Sequence, residues 1–310
     1  MKPLSTYIQT RGARKAMRIW FLETRPRFLI ISLTVIFLGT SVGWYHGHFS
    51  LLYFLLALIG MLLAHISANT LNDYFDYRTG IDLEVERTPF TGGSGILSAG
   101  LLTPASVGRF GLASFLFAIP IGTYFVIIRG WLLLPVLVTG ALCVLLYTVR
   151  LSRWGLGEIA AGLGLGMLPV LGACFVQTGT YTWEAAIAAI PSGILLYTGL
   201  LLYEFPDVEA DKNAGKKTLP IVIGKKRASV LYIGLIIAIY VWITAWAIAG
   251  YITIFTLLGL LTLPIGVKAI KGALHYDDES RLSPALKANL IVVVGTQALL
   301  ALGYVIAAIV

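Results

Sequence analysis

Apolar stretches close to 20 residues long recur from one end of this chain to the other, and they can fold into little other than a bundle of membrane-spanning helices. Nine spans are predicted, at residues 28–45, 50–71, 105–128, 131–148, 157–177, 184–203, 228–249, 251–271 and 287–310. Composition agrees: 58% of the 310 residues are hydrophobic and 12% are charged, against about 25% charged in soluble domains. The expected architecture is all-α and polytopic, a single domain over residues 1–310, with residues 1–27 as a cytoplasmic N-terminal segment. The first apolar run begins near Phe28, too far in for a cleaved signal peptide. Cys143 and Cys174 are isolated within apolar runs, which makes neither a disulfide framework nor a metal-ligand spacing.

The formal net charge of +8 invites comparison with nucleic-acid binders, but its placement argues otherwise. Of 23 Lys and Arg residues, 22 fall before the first span or after the second, fourth, sixth and eighth spans; Arg129 alone falls on the other side. The positive-inside rule then predicts a cytoplasmic N-terminus and an external C-terminus in a cell membrane. Loops on the external side are short and nearly uncharged, leaving no room for an outer domain.

Carboxylates are scarce, with 15 Asp and Glu in all, yet two clusters stand at the ends of hydrophobic spans. One is Asn72-Asp73-Tyr74-Phe75-Asp76, followed by Asp82; the other runs from Glu204 through Asp207 and Glu209 to Asp211. Asn72 and Asp76 are four residues apart, as are Asp207 and Asp211, so each pair shares a helical face. Carboxylates at a membrane boundary are costly without a compensating cation. Two facing sets of hard oxygen donors suit Mg²⁺, which in such sites carries phosphorylated substrates. The chain therefore reads as a membrane enzyme handling a diphosphate. Lys212, Lys216 and Lys217 follow the second cluster at once. They serve equally as topology signals or as ammonium partners for phosphate oxygen. Arg25 opens the first span, Tyr147 closes the fourth, and Arg150 and Arg153 lie just beyond, all on the acidic side. Gly92-Gly93-Ser94-Gly95 can turn backbone N–H groups towards an anion, although a plain glycine-rich turn has the same signature. Glu158 is one more carboxylate on that side.

Asn72-Asp73-x-x-Asp76 with the later Asp82, and Asp207-x-x-x-Asp211 in a second loop, resemble the UbiA superfamily of intramembrane prenyltransferases over essentially the whole chain. Within it, the run from Asn72 to Asp82, Thr91-Gly92-Gly93-Ser94-Gly95, and the run from Glu204 to Lys212 are similar to the 1,4-dihydroxy-2-naphthoate branch of the menaquinone pathway. Two departures stand out. Tyr203 replaces a common Asn, and the segment after Tyr147-Thr148 lacks a Pro-Pro and is about three residues short.

The resemblance implies nine helices around a central cavity open to the cytoplasm. It implies two Mg²⁺ ions, one on Asn72 and Asp76 with Asp73 or Asp82, the other on Asp207 and Asp211. Arg25, Asn72, Tyr147, Arg153, Lys212 and Lys216 are the expected substrate contacts. Asp73, Asp76, Asp82, Asp207 and Asp211 are the expected catalytic carboxylates, with Asp82 a candidate base for the acceptor hydroxyl. The expected partners are a prenyl diphosphate, an aromatic acceptor and membrane lipid, without nucleic acid or an obligate protein partner. Other acceptors of the superfamily (4-hydroxybenzoate, homogentisate, haem, geranylgeranylglyceryl phosphate) are the near alternatives. A cation transporter is the remote one, because its carboxylates belong near span midpoints rather than at one face.

Overall fold

The structure, a computed structural model, describes residues 4–81 and 92–310. Among these residues there is no strand, and nine helical segments are long and apolar enough to cross a membrane. A first helix, α1 (Leu4–Glu23), precedes them. The spans are α2 (Pro26–Tyr45), α3 (Leu51–Thr79), α4 (Pro104–Arg129), a fourth built on α5 (Leu134–Leu146), a fifth built on α6 (Gly157–Ala161) and α7 (Leu168–Thr178), and α8 (Trp183–Tyr203). After the short α9 (Val208–Asn213) and α10 (Leu219–Ile223) come α11 (Lys225–Ile248), an eighth span ending in α12 (Leu263–Leu274), and α13 (Glu279–Ile309).

Local chemistry sets many of these boundaries. Ser50, Thr103, Thr182 and Asp278 each accept a backbone N–H with their side chains at the start of α3, α4, α8 and α13. Gly80, at φ 85°, ends α3 in the left-handed conformation. The second span therefore continues well past the expected residue 71, and Asn72, Asp73 and Asp76 lie on the helix itself. The ninth starts at Glu279 rather than 287, carrying Pro284 within it.

Packing follows from small residues and a few internal hydrogen bonds, since hydrophobic burial gives helices little reason to associate in lipid. A methyl group built on Gly39 of α2 would run into the carbonyl oxygen of Val170 on α7, so these helices touch backbone to backbone. The Thr34 hydroxyl donates to Gln297 Oε1 at 2.6 Å, and Gln297 Nε2 donates to Ser192 Oγ at 3.1 Å, which ties α2, α13 and α8 together. Helix α13 packs along α2, α8 and α12 and supplies much of the buried core. The fourth span, by contrast, has few fully buried residues, as suits a helix at the lipid-facing rim.

Gly39→Leu is expected to force α2 from α7 and to destabilise the bundle by about 3 kcal/mol or more. A lowered thermal midpoint in detergent would register it; an unchanged midpoint would contradict the close approach.

Candidate active site

The end of α3, the start of α2, the end of the fourth span, the start of the fifth and the segment after α8 meet at one end of the bundle. They enclose a cavity of about 670 Å³. Its polar wall includes Arg25, Asn72, Asp76, Tyr147, Glu204, Asp207, Asp211 and Lys216, while Phe28, Leu196, Tyr203 and Val293 give apolar surface. A second cavity of about 470 Å³, lined almost entirely by apolar side chains, adjoins it and shares Val144, Gly164 and Leu165.

The two acidic clusters meet through one cation. Lys216 Nζ lies 3.0 Å from Asp76 Oδ2 and 3.1 Å from Asp211 Oδ1, and all three side chains are largely buried. Burial works against the Lys216 ammonium, but Asp76 and Asp211 more than compensate and hold its pKa above the ordinary lysine value. Burial raises the pKa of Asp211, and Lys216 opposes that rise. Asn72 Nδ2 donates to Asp76 Oδ2 at 2.9 Å and to Thr148 Oγ1 at 3.3 Å. Asp207 lines the same cavity one turn before Asp211.

Arg25 sits immediately before α2 at φ 54°, the one non-glycine residue with positive φ among the described residues. Such a conformation costs about 1–3 kcal/mol and marks a residue held for a purpose. Its guanidinium donates to Asn72 Oδ1 at 3.0 Å and pairs with Asp73. Its Nε is buried without a hydrogen-bond partner among the described residues. Asp73 itself does not line the cavity. It turns towards Arg25 and the glycine-rich loop, where Ser94 N donates to its Oδ2 at 2.9 Å. The Ser94 hydroxyl donates to Glu23 Oε2 at 2.7 Å. Gly92, Gly93 and Gly95 adopt φ of 75°, 67° and 73°, which lets the loop turn tightly beside the cavity.

The remaining expected residues separate. Lys212 and Arg153 are exposed and outside the cavity wall, whereas Tyr147 lies on it. Asp82 falls outside the described residues, as do Arg87 and Thr91. Glu23 escaped sequence reasoning, and Ser94 was visible there only as part of a glycine run. The scarcity of carboxylates was the signal for Glu23, since an acidic residue two places before Arg25 is conspicuous in such a chain. Glu158 proves to be structural for the site. It is buried at the start of α6 and accepts the Leu219 backbone N–H at 2.5 Å, while Ser152 O accepts from Lys217 N at 2.9 Å. These two bonds pin the loop that carries Lys216. Glu204 is hydrogen-bonded to Glu158, and burial followed by the charge of Glu158 pushes its carboxyl well above the usual range.

Among the described residues, no three carboxylate, imidazole or thiolate groups close on one point as a complete metal cage. The donor set nonetheless fits a hard dication. Hard oxygens from both clusters already converge on a single ammonium, and Mg²⁺ is commonly held by one or two carboxylates with water and phosphate oxygen completing its shell.

The family model described as the UbiA prenyltransferase family matches residues 32–293. The chain belongs to the UbiA family. UbiA relatives named 1,4-dihydroxy-2-naphthoate octaprenyltransferase occur in Bacillus subtilis, 28% identical over 91% of this chain and 90% of the relative, and in Escherichia coli, 26% identical over 86% and 89%. A solved UbiA homologue from Archaeoglobus fulgidus, described as bound to GPP and Mg²⁺, superposes with a TM-score of 0.58 at 14% identity, covering 91% of this chain and 99% of its own. That likeness carries the fold. As a UbiA member the chain is an integral membrane prenyltransferase.

Glu158→Ala is expected to speed hydrogen exchange at the Leu219 amide about tenfold or more, the loss of one buried hydrogen bond. Glu158→Gln keeps an acceptor oxygen and should exchange at close to the wild-type rate. Equal exchange in Glu158→Ala and wild type would remove Glu158 as the anchor of this loop.

Proposed function

We propose that this enzyme transfers a polyprenyl group from a prenyl diphosphate to 1,4-dihydroxy-2-naphthoate in a Mg²⁺-dependent reaction. The observation that carries the catalytic part is the convergence of Asp76, Asp211 and Lys216 at the cavity, with Arg25 beside them. The acceptor rests on the names of the Bacillus and Escherichia relatives.

In this reading Asn72 and Asp76 hold one Mg²⁺, and Asp207 and Asp211 a second. Bound Mg²⁺ supplies positive charge to the diphosphate as it leaves. Arg25 and Lys216 reach the same oxygens: the guanidinium donates through its buried Nε, and the ammonium moves from carboxylate to phosphate. Asp73 acts by positioning, since it holds both Arg25 and the Gly92–Gly95 loop. Cleavage of the allylic C1–O bond leaves a cation that Phe28, Tyr203 and the neighbouring apolar wall shield from water. The electron-rich acceptor ring attacks C1, and loss of the ring carboxylate as carbon dioxide restores aromaticity. Tyr203, the residue that departs from the branch pattern, lies on this wall. The positive-inside distribution supports a cytoplasmic N-terminus, which puts the polar cavity on the side where soluble diphosphates and naphthoates are met.

Asp76→Asn and Asp211→Asn are each expected to lower kcat by about 10³-fold, the scale of losing preorganised charge at a developing anion. The check is transfer of radiolabelled prenyl diphosphate at saturating Mg²⁺, with intact folding verified by thermal melting; undiminished turnover in either variant removes the metal assignment. The acceptor is decided separately by mass spectrometry of the lipid product from a panel of aromatic acids. Prenylated 4-hydroxybenzoate without a naphthoate product would overturn that half of the proposal.

A further inference from the structure

Helix α1 has no place in the reaction described above, and it is not among the segments apolar enough to span. Its second half carries three kinds of surface. Arg14, Lys15 and Arg18 are exposed, and at 100° per residue they occupy a sector of about 100°. Met17 and Phe21 border that sector and are 65% and 60% exposed. The remaining face turns inward over the last turn: Trp20 packs its ring 4.9 Å from that of Phe110 on α4, and Glu23 is fully buried. The helix is thus docked to the bundle at the cavity end, with a cationic stripe and an apolar stripe side by side and uncovered. A bilayer boundary presents that same order of layers, phosphate beside hydrocarbon.

We propose that α1 lies in the membrane plane on anionic phospholipid, with Met17 and Phe21 among the acyl chains and Arg14, Lys15 and Arg18 on lipid phosphates. The docking reaches the active site through the backbone. Glu23 accepts the Ser94 hydroxyl, Thr24 O accepts Asn69 Nδ2 at 3.0 Å, and the next residue is Arg25 in its left-handed conformation. A helix anchored on lipid therefore holds the Arg25 guanidinium where it faces the diphosphate. This coupling rests on the function proposed above, whereas the docking does not.

The test uses the full chain in nanodiscs of phosphatidylcholine alone or mixed with phosphatidylglycerol, in a Cys143→Ser/Cys174→Ser background. Spin labels placed by Met17→Cys and Phe21→Cys should be more accessible to oxygen than to a water-soluble nickel relaxant, and a label placed by Arg14→Cys should show the reverse. Aqueous behaviour at positions 17 and 21 in both lipids overturns the docking. The KM for prenyl diphosphate is then compared between the parent and an Arg14→Gln/Lys15→Gln/Arg18→Gln variant. The variant's KM should rise about fivefold in the anionic discs, the worth of roughly one lipid contact, and stay unchanged in phosphatidylcholine. An equal KM in both proteins in anionic discs overturns the coupling even if the labels are buried. A parent protein without any transferase activity, but with the expected label pattern, overturns the functional reading and leaves the docking standing.

Discussion

A carboxylate carried on an apolar helix is tolerated only if a cation stands against it, and the cavity end of this bundle is organised by that requirement. Asp76 and Asp211 come from segments far apart in sequence and share the Lys216 ammonium. Asp73, one residue from Asn72 and on a different face of α3, is matched by Arg25. Coulomb attraction at short range in a poorly screened setting is large enough to fix the relative positions of these segments. Removing one partner from such a set leaves the other charge buried and costs more than the pair itself contributes. The same arrangement leaves two cationic groups already desolvated and already aimed at the cavity. In the proposed reaction, little reorganisation would then be needed for a diphosphate to take over from the carboxylates.

Regular helices alone would not aim these groups. The fourth span ends in a π-helical turn (Tyr147–Leu151) and the fifth contains another (Gly162–Met167). Such turns rotate the residues that follow and recur at functional sites. The first holds Thr148, which reaches Asn72, and precedes Ser152 and Glu158, which bond to the loop bearing Lys216. Arg25 achieves the same end by its left-handed backbone, with Pro26 fixing the start of α2 immediately afterwards.

The nine spans were legible from hydropathy because a lipid-facing helix must announce itself in composition. The acidic pairs were legible because four-residue spacing puts both members on one face. Other features were hidden for physical reasons. Helix periodicity could not distinguish Asp73 from Asp76 as a cavity residue, since that depends on which neighbour stands on each side of α3. Lys212 and Lys216 were equivalent as charges, and only the fold of the loop, pinned through Glu158 and Ser152, turns one inward and the other to solvent. The left-handed backbone at Arg25 carries no compositional mark. The extension of α3 to Thr79 was obscured because its last turns are polar, which hydropathy alone reads as the end of a span.

The two adjoining cavities meet at Gly164, where a Cβ would come within 2.8 Å of the Cβ of Cys143. One chamber has a charged wall and the other is lined almost entirely by hydrocarbon, and Val144, Gly164 and Leu165 line both. A molecule with a hydrophilic head and an oily tail can occupy both chambers without either end meeting unsuitable surroundings. A bare pyrophosphate, or a plain terpene, fills only half the space. For the prenyl diphosphate of the proposed reaction, the two chambers would match head and tail by shape and polarity rather than by a measuring stop.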